Sequence, residues 1–167
     1  MEDEAALSGE AGWRESSVKI PLPVDKQKLK ESTALKFEIP GIWHHDLLEV
    51  ICTAFQDMKA QFYHLTLFRL FWKPTPDSEL ERVITDLYNS DAFLQEHEKL
   101  QQQPKELGCN LEQVVAAIMV WSNSTHLANF GQASLWLIYL FLGNQSKYQR
   151  MKPSQFAAHH LAYIPSV

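Results

Sequence analysis

The sequence predicts a mainly α-helical protein, a compact bundle of six or seven helices with an extended N-terminal arm and an optional small two-stranded sheet. From Trp43 onward, apolar residues recur every three or four positions, which matches the 3.6-residue period of an α-helix. Before Trp43 the apolar residues alternate with a period of two, which is typical of extended chain. The 167 residues, 46% hydrophobic and 21% charged, have the composition of one globular domain.

Three segments follow from these patterns. Residues 1–17 are rich in Glu, Ala, Gly and Ser and predict a flexible acidic tail. Residues 18–41 predict the extended arm, and residues 42–165 predict the helical domain. The arm contains two alternations, which we expect either to pair as a small sheet or to lie as separate strips on the helical body. Their apolar members are Val18, Ile20, Leu22 and Val24, then Leu35, Phe37 and Ile39.

The predicted helices are delimited by caps and by helix-breaking residues. Proline and glycine end a helical pattern, and Ser, Thr and Asn begin one because their side chains accept hydrogen bonds from free backbone N–H groups. The first predicted helix is a long one from Trp43 to Trp72, or two in sequence with a break near Lys59 to Gln61. The others are one that starts at Thr75-Pro76, one capped by Ser90, one opened by Asn110, one over residues 127–142, and a short one from Pro153.

The charge of the chain predicts little affinity for nucleic acid. The net charge of −5 and the pI near 5.8 disfavour a duplex-binding surface, which normally carries an excess of Lys and Arg. Two small basic clusters are present, and they support only an alternative hypothesis of a nucleic-acid accessory factor. They are Lys26, Lys28 and Lys30, and Lys147, Arg150 and Lys152 beside Tyr148.

Motifs for catalysis or cofactor binding are missing from the sequence. None of the six glycines belongs to a phosphate-binding loop, and no H-E-x-x-H zinc motif occurs. Cys52 lies in an apolar stretch and Cys109 precedes a predicted helix cap, so a thiol enzyme remains an alternative hypothesis. We therefore expect no enzyme activity, no cofactor and no bound metal. The weak metal candidates are His44, His45, His64, His159 and His160.

Location follows from the N-terminus and from the apolar runs. The first 17 residues lack the basic and apolar regions of a secretory signal, and we expect an intracellular protein, cytoplasmic or nuclear. The apolar runs Val114–Trp121 and Leu135–Leu142 are far shorter than the roughly 20 residues that cross a bilayer. No membrane span is predicted.

Together these patterns predict a non-enzymatic protein–protein interaction module, an adaptor or subunit of an intracellular assembly. The chain has five Trp and nine Phe, and aromatic side chains are common anchors at protein interfaces. The proline-containing arm has little conformational entropy to lose on docking. A metal-dependent or thiol enzyme is the alternative. The predicted partner-binding residues are Val18, Ile20, Leu22, Val24, Phe37, Trp43, Trp72 and Tyr148.

Overall fold

The structure, a computed structural model, describes residues 12–22, 34–126 and 134–165. Contacts divide the chain into two units, one of Met1–Thr53, Trp121–Tyr139 and His160–Val167, and one of Ala54–Val120 and Leu140–His159. The described residues form seven β-strands and three short α-helices. The prediction of a mainly α-helical bundle is therefore wrong, and the fold is mostly β.

The first unit contains most of a five-stranded sheet with strand order β1-β2-β7-β6-β5. The first two strands come from the two alternating segments of the sequence, and they pair antiparallel with a bulge between Ser16 and Val18. β2 also pairs antiparallel with β7, through Trp43 opposite Tyr163. The strands are β1 (Arg14–Pro21), β2 (Lys36–His44), β5 (Ile118–His126), β6 (Ser134–Leu142) and β7 (His159–Pro165).

The second unit combines short helices with a small hairpin. Its two-stranded sheet pairs β3 (Leu70–Trp72) with β4 (Glu81–Val83). Helix α1 (Leu47–Gln56) enters this unit at Ala54. The remaining helices are α2 (Asp91–Gln101), α3 (Lys147–Arg150) and the 3-10 helices Met58–Phe62, Leu87–Asn89 and Pro153–Gln155.

Most of the predicted helices are strands or irregular chain in the structure. The helix predicted over Trp43–Trp72 is reduced to α1, because the aromatic-rich stretch that follows forms a 3-10 helix and then β3, and aromatic residues favour strands. The described part of the helix predicted over residues 127–142 is β6. A short apolar run is compatible with a strand covered on both faces and with a buried helix, so periodicity alone does not distinguish the two structures.

The helices predicted from Thr75 and Asn110 are not formed, and part of their apolar stripes lies in strands, Val83 in β4 and Ile118 in β5. A helix does begin at Pro153, but it is a 3-10 helix that ends at Gln155, and the chain continues into β7. The helix predicted after Ser90 is present as α2, and the Ser90 hydroxyl accepts a hydrogen bond from the Phe93 N–H at 3.3 Å. Helices in the described part of the chain all lack the length and apolar character that crossing a membrane requires.

The core of the second unit encloses a buried amide, Asn144. Its Oδ1 accepts a hydrogen bond from the Ala117 N–H at 2.8 Å, and its Nδ2 donates to the carbonyls of Val115 and His64 at 2.8 and 3.3 Å. These bonds satisfy a side chain that is fully shielded from solvent. Residues 143–145 are thereby held in place, and α3 begins directly after them. The most buried apolar side chains of this unit are Ala54, Phe93, Leu94, Leu140 and Leu142.

Candidate nucleic-acid interface

Acidic residues stop two-thirds of the way along the sequence. Glu112 is the last one, and the stretch from Gln113 to Val167 contains Lys147, Arg150 and Lys152 but no Asp or Glu. The net charge of the whole chain hides this asymmetry, because the excess of acidic residues lies entirely before Gln113. Charge distribution, more than net charge, indicates a surface for nucleic acid.

The basic residues of this stretch lie on a short exposed segment of the second unit, Lys147–His159, which we call the basic-aromatic segment. It contains α3, the 3-10 helix Pro153–Gln155 and the residues that lead to the first position of β7. Lys147 and Lys152 are exposed, and the Tyr148 side chain is 71% exposed. The Lys147 Nζ lies 5.4 Å from the centroid of the Tyr148 ring, within the range of a cation–π contact. Cations and aromatic rings thus alternate along one exposed stretch.

Arg150 anchors this segment and does not face solvent. Its Nη2 lies 3.0 Å from Asp86 Oδ1, and both side chains are more than four-fifths buried. Its Nη1 donates a hydrogen bond to the Gln145 carbonyl. Asp86 also accepts hydrogen bonds from the backbone N–H groups of Lys147 and Leu87, at 2.6 and 2.9 Å. Arg150 therefore positions α3, which leaves the exposed lysines as the contacts available to a partner.

The surroundings of Asp86 favour the ionised form of its carboxyl group. Burial alone would raise its pKa, but the hydrogen bonds from the Leu87 and Lys147 N–H groups and the nearby Arg150 guanidinium together lower it below the usual value of 3.8. The ion pair is therefore present at all physiological pH values.

Phe156, the next residue after the 3-10 helix, has a left-handed backbone conformation. Its φ is 43° and its ψ is 44°, and its N–H donates to the Pro153 carbonyl. It is the one non-glycine residue with a positive φ in the described part of the chain. Glycine or asparagine normally occupies such a helix-ending position, because a bulky side chain is strained there. The Phe156 side chain is nevertheless 74% exposed, so burial of the ring does not compensate for the strain.

A narrow crevice lies beside the Phe156 ring, and we call it the Phe156 crevice. The Lys59 Nζ is 4.8 Å from the Phe156 ring centroid and 3.9 Å from Asp57 Oδ2. The Oε1 of Gln155 is buried there without a hydrogen-bond partner, which is unusual for a buried acceptor. The lining residues are Asp57, Lys59, Tyr63, Gln145, Gln155, Phe156, Ala157 and His159.

Two titratable side chains in the crevice are uncharged at neutral pH. Burial lowers the pKa of His159 below 6.5, and the nearby charges of Asp57 and Lys59 act in opposite directions on it. Burial and the Asp57 charge both raise the pKa of Tyr63 above 10.0. The Tyr63 hydroxyl donates to the Ala54 carbonyl at 3.2 Å. The crevice therefore combines a neutral polar wall with the ammonium group of Lys59.

The predicted partner-binding residues lie in several places. Tyr148 belongs to the basic-aromatic segment. On or beside β1 and β2, Val18, Ile20, Leu22 and Phe37 are between 42% and 46% exposed, and Trp72 is 54% exposed on β3. Trp43 is partly buried in β2. The described residues include Val18, Ile20, Leu22 and Phe37, whereas Val24, Lys26, Lys28 and Lys30 lie outside them.

The histidines suggested as metal ligands have other contacts. The ring of His45 lies 3.8 Å from that of Trp13, and that of His64 stacks on Tyr88 at 3.9 Å. His160 Nδ1 is 2.8 Å from the Tyr163 hydroxyl. His44 Nδ1 lies 3.0 Å from the His45 carbonyl oxygen, and His159 lines the crevice. Within residues 12–22, 34–126 and 134–165, no three His, Cys, Asp or Glu side chains come together as a metal site would require.

Sequence reasoning named Tyr148 and the Lys147, Arg150 and Lys152 cluster but missed Phe156, Gln155 and Lys59. The break in acidic residues after Glu112 was an available indication, and it was obscured by the net charge.

Comparison with known proteins identifies one family: the profile described as Plavaka transposase matches residues 3–167. No curated protein and no solved structure matches the chain.

Proposed function

The chain belongs to the Plavaka transposase family, and on that premise we propose that it binds DNA during transposition through the basic-aromatic segment. Transposases cut DNA, so a member of this family has nucleic acid as its substrate. One observation carries the proposal. A stretch without acidic residues presents exposed lysines and aromatic rings on a segment that the Arg150–Asp86 pair holds in place.

Membership of this family overturns three predictions made from the sequence. The prediction of a non-enzymatic adaptor is wrong, as is the prediction of no enzyme activity, because the family is one of DNA-cutting transposases. The prediction that nucleic acid is an improbable partner is also wrong. Its error was to average charge over the whole chain, although a phosphate responds to the charges within about 10 Å of it at physiological salt.

The side chains of the segment suit the two parts of a DNA strand. Lysine ammonium groups bind phosphates and release the counterions that surround them, which makes binding dependent on salt. Aromatic rings such as those of Tyr148 and Phe156 offer flat apolar surfaces on which bases stack. Lys147 and Lys152 lie on the same exposed segment as these two rings, so a strand lying along the segment would meet both kinds of contact.

Cutting of DNA by nucleases and related enzymes commonly uses divalent metal ions held by carboxylates. The described carboxylates do not form such a set. Asp86 is already paired with Arg150 and accepts hydrogen bonds from two backbone N–H groups. Within the described ranges, no group of three His, Cys, Asp or Glu side chains could hold a metal ion. The proposal is therefore limited to DNA binding and includes no metal-dependent step. An intracellular location, cytoplasmic or nuclear, is part of the proposal.

The test is binding of fluorescent oligonucleotides, single-stranded and duplex, measured by anisotropy at about 50 mM salt. The double variant Lys147→Glu/Lys152→Glu should lose at least about tenfold in affinity, because two phosphate contacts become repulsive. The plot of log affinity against log salt should become shallower by about two, roughly one for each lysine.

The matched control is Lys73→Glu/Lys105→Glu, which makes the same change of charge in the second unit outside the basic-aromatic segment. It should retain affinity within about threefold, the residual loss coming from screened long-range repulsion. If both double variants lose affinity equally, or if the unaltered protein binds no DNA at low salt, the proposed interface is wrong.

A further inference from the structure

The presence of phenylalanine at position 156 is not explained by local structure or by packing. The left-handed conformation that ends the 3-10 helix is one that glycine adopts without strain. The ring is 74% exposed, so the hydrophobic effect contributes little there. Strained backbone that persists without a packing reason is concentrated at binding sites, where the surrounding structure holds a side chain ready for a ligand. A ligand that uses the exposed ring would account for this residue.

The surroundings of the ring define the chemistry of that ligand. Gln155 has a buried amide oxygen without a partner, which can accept a hydrogen bond from an amino group. Lys59 is 4.8 Å from the ring centroid and attracts negative charge close to the ring. A nucleotide carries all three matching features, namely a flat aromatic base, ring nitrogens and amino groups at the base edge, and a phosphate.

Burial keeps the neighbouring His159 and Tyr63 neutral, so both can form hydrogen bonds without imposing a charge on the base. The interior of the crevice is narrow, about the size of one water molecule. A base therefore lies across its mouth, on the Phe156 ring, and one water molecule inside the crevice can bridge the base edge and the buried Gln155 oxygen. Asp57 also lines the crevice, but its carboxylate is within 3.9 Å of the Lys59 ammonium group, which reduces its repulsion of a phosphate.

We propose that the Phe156 crevice binds an unpaired DNA base, which stacks on the Phe156 ring while one water molecule in the crevice links the base edge to Gln155 and Lys59 lies beside the adjoining phosphate. In a duplex, each base is covered above and below by its neighbours and cannot stack on a side chain unless it leaves the helix. The ligand is therefore a single-stranded or unpaired stretch of DNA. This inference rests on the proposed DNA-binding function and adds the substrate class to it.

The test compares two single strands of equal length with the full chain, one carrying bases and one in which the central nucleotides are abasic. The two strands have the same phosphates, so a difference in affinity measures base contacts. The unaltered protein should bind the base-bearing strand about five- to hundredfold more tightly, as expected for stacking of one base on an aromatic ring. Phe156→Leu should remove most of this preference, because leucine keeps an apolar side chain but has no flat ring.

The matched control is Phe71→Leu. Phe71 is also half exposed in the second unit and has a cation beside its ring, with the Arg82 guanidinium carbon 5.8 Å from the ring centroid, but it lies on β3 with an ordinary backbone. This variant should keep the preference for the base-bearing strand. Phe156→Gly is a second test of the ring, because glycine relieves the strain and the protein should remain folded.

The outcomes separate this inference from the proposed function. Equal affinity of the unaltered protein for the two strands, or a preference that survives both Phe156→Leu and Phe156→Gly, overturns the base site while leaving DNA binding by Lys147 and Lys152 intact. Failure to bind either strand at low salt overturns the proposed function and this inference with it. Loss of the preference in Phe156→Leu but not in Phe71→Leu supports the base site.

Discussion

The β1–β2 pair of the first unit and the basic-aromatic segment of the second unit both expose apolar side chains beside lysines. They differ in whether a carboxylate lies close to the lysine ammonium groups. On the strands, Lys19 lies 3.6 Å from Glu38, which also accepts a hydrogen bond from the Ser17 hydroxyl at 2.7 Å. No carboxylate in the described ranges is within ion-pair distance of Lys147 or Lys152. Glu38 offsets the charge of Lys19, whereas no described carboxylate offsets that of Lys147 or Lys152, so the local pairing of charge distinguishes the two surfaces.

The two regions also differ in how they accommodate a left-handed backbone. In β2 the position with φ of 69° is occupied by Gly41, the residue that adopts this conformation without strain. In the basic-aromatic segment the corresponding position holds Phe156. The strand pair follows the local preference of the backbone, whereas the basic-aromatic segment departs from it at an exposed aromatic ring. Such departures are expected at functional sites.

The largest expected effect comes from removing the anchor of the basic-aromatic segment. Arg150→Ala leaves the buried Asp86 carboxylate without its partner and should lower the free energy of unfolding by about 3–5 kcal/mol. Arg14→Ala in the first unit removes an exposed pair with Asp46, at 3.4 Å, and should cost less than about 1 kcal/mol. Urea unfolding of both variants measures the difference. Equal losses would show that the Arg150–Asp86 pair does not anchor the segment.

A smaller loss is expected at Gly143, just before the segment. A Cβ at this position would lie 2.4 Å from the Leu87 Cδ2 and 3.2 Å from the Ala117 Cβ. Gly143→Ala should therefore lower the free energy of unfolding by about 1–3 kcal/mol, as overpacking does in other cores. At Gly108 nothing lies within 4 Å of the same atom, and Gly108→Ala should cost only the backbone strain of its positive φ. Thermal or urea unfolding that ranks Gly108→Ala as the more damaging would contradict this packing.

Mild acid should weaken the second unit before it affects the β1–β2 pair. The pKa of His159 is lowered in the fold, mainly by burial, so the neutral form is favoured and the stability it contributes is present above pH 6.5. That stability is lost as the pH falls from 6.5 towards the folded pKa. His159→Gln should remove this part of the pH dependence of urea unfolding between pH 7.5 and 5.5.

The β1–β2 pair provides the contrast. The Ser17 hydrogen bond and the Lys19 charge lower the pKa of Glu38 below 4.5, so its interactions persist down to pH 4.5 and are lost only as the pH falls through the lowered value. Glu38→Gln should therefore leave the pH dependence between 7.5 and 5.5 unchanged. If Glu38→Gln abolishes that dependence and His159→Gln does not, the assignment to His159 is wrong.

The smallest effect is the change in stability at the two left-handed positions. Phe156→Gly should raise the free energy of unfolding by up to about 1 kcal/mol, because relief of strain exceeds the loss of an exposed cation–π contact. Gly41→Ala should lower it by about 1 kcal/mol. A Cβ at position 41 would meet only Pro165 Cγ at 3.8 Å, an ordinary contact, so this variant measures the strain of the left-handed backbone alone. A large loss in Phe156→Gly would mean that the ring stabilises the fold.

Local patterns predicted only part of the fold. The described part of the first alternation, residues 18–22, and the second alternation, residues 35–39, fall largely in β1 and β2, and the Ser90 cap marks the start of α2. These features depend on residues close in sequence, so the sequence contains the information needed. The long helix predicted from Trp43 failed beyond α1, because its aromatic second half is a 3-10 helix, then irregular chain, and finally β3, which pairs with β4 further along the chain.

The candidate site was predicted in the same partial way. Tyr148, Lys147 and Lys152 were recognisable from their spacing, whereas the role of Arg150 depends on Asp86, which lies 64 residues away in the sequence. Lys59 reaches the Phe156 ring across a longer separation still. The left-handed conformation of Phe156 contradicts the preference of its own residue type, so no reasoning from propensity predicts it.

By itself the sequence determined the extended character of the first strands, the start of α2, and the absence of acidic residues after Glu112, because each depends on neighbouring residues or on composition alone. The tertiary structure decided that the apolar run Ser134–Leu142 is a strand, since its neighbours in the sheet are β5 and β7, which lie outside the run itself. The tertiary structure also decided which basic side chains of the basic-aromatic segment remain available to a phosphate. Burial and pairing withdraw Arg150 from solvent and leave Lys147 and Lys152 exposed, and only long-range contacts determine which residues are paired in this way.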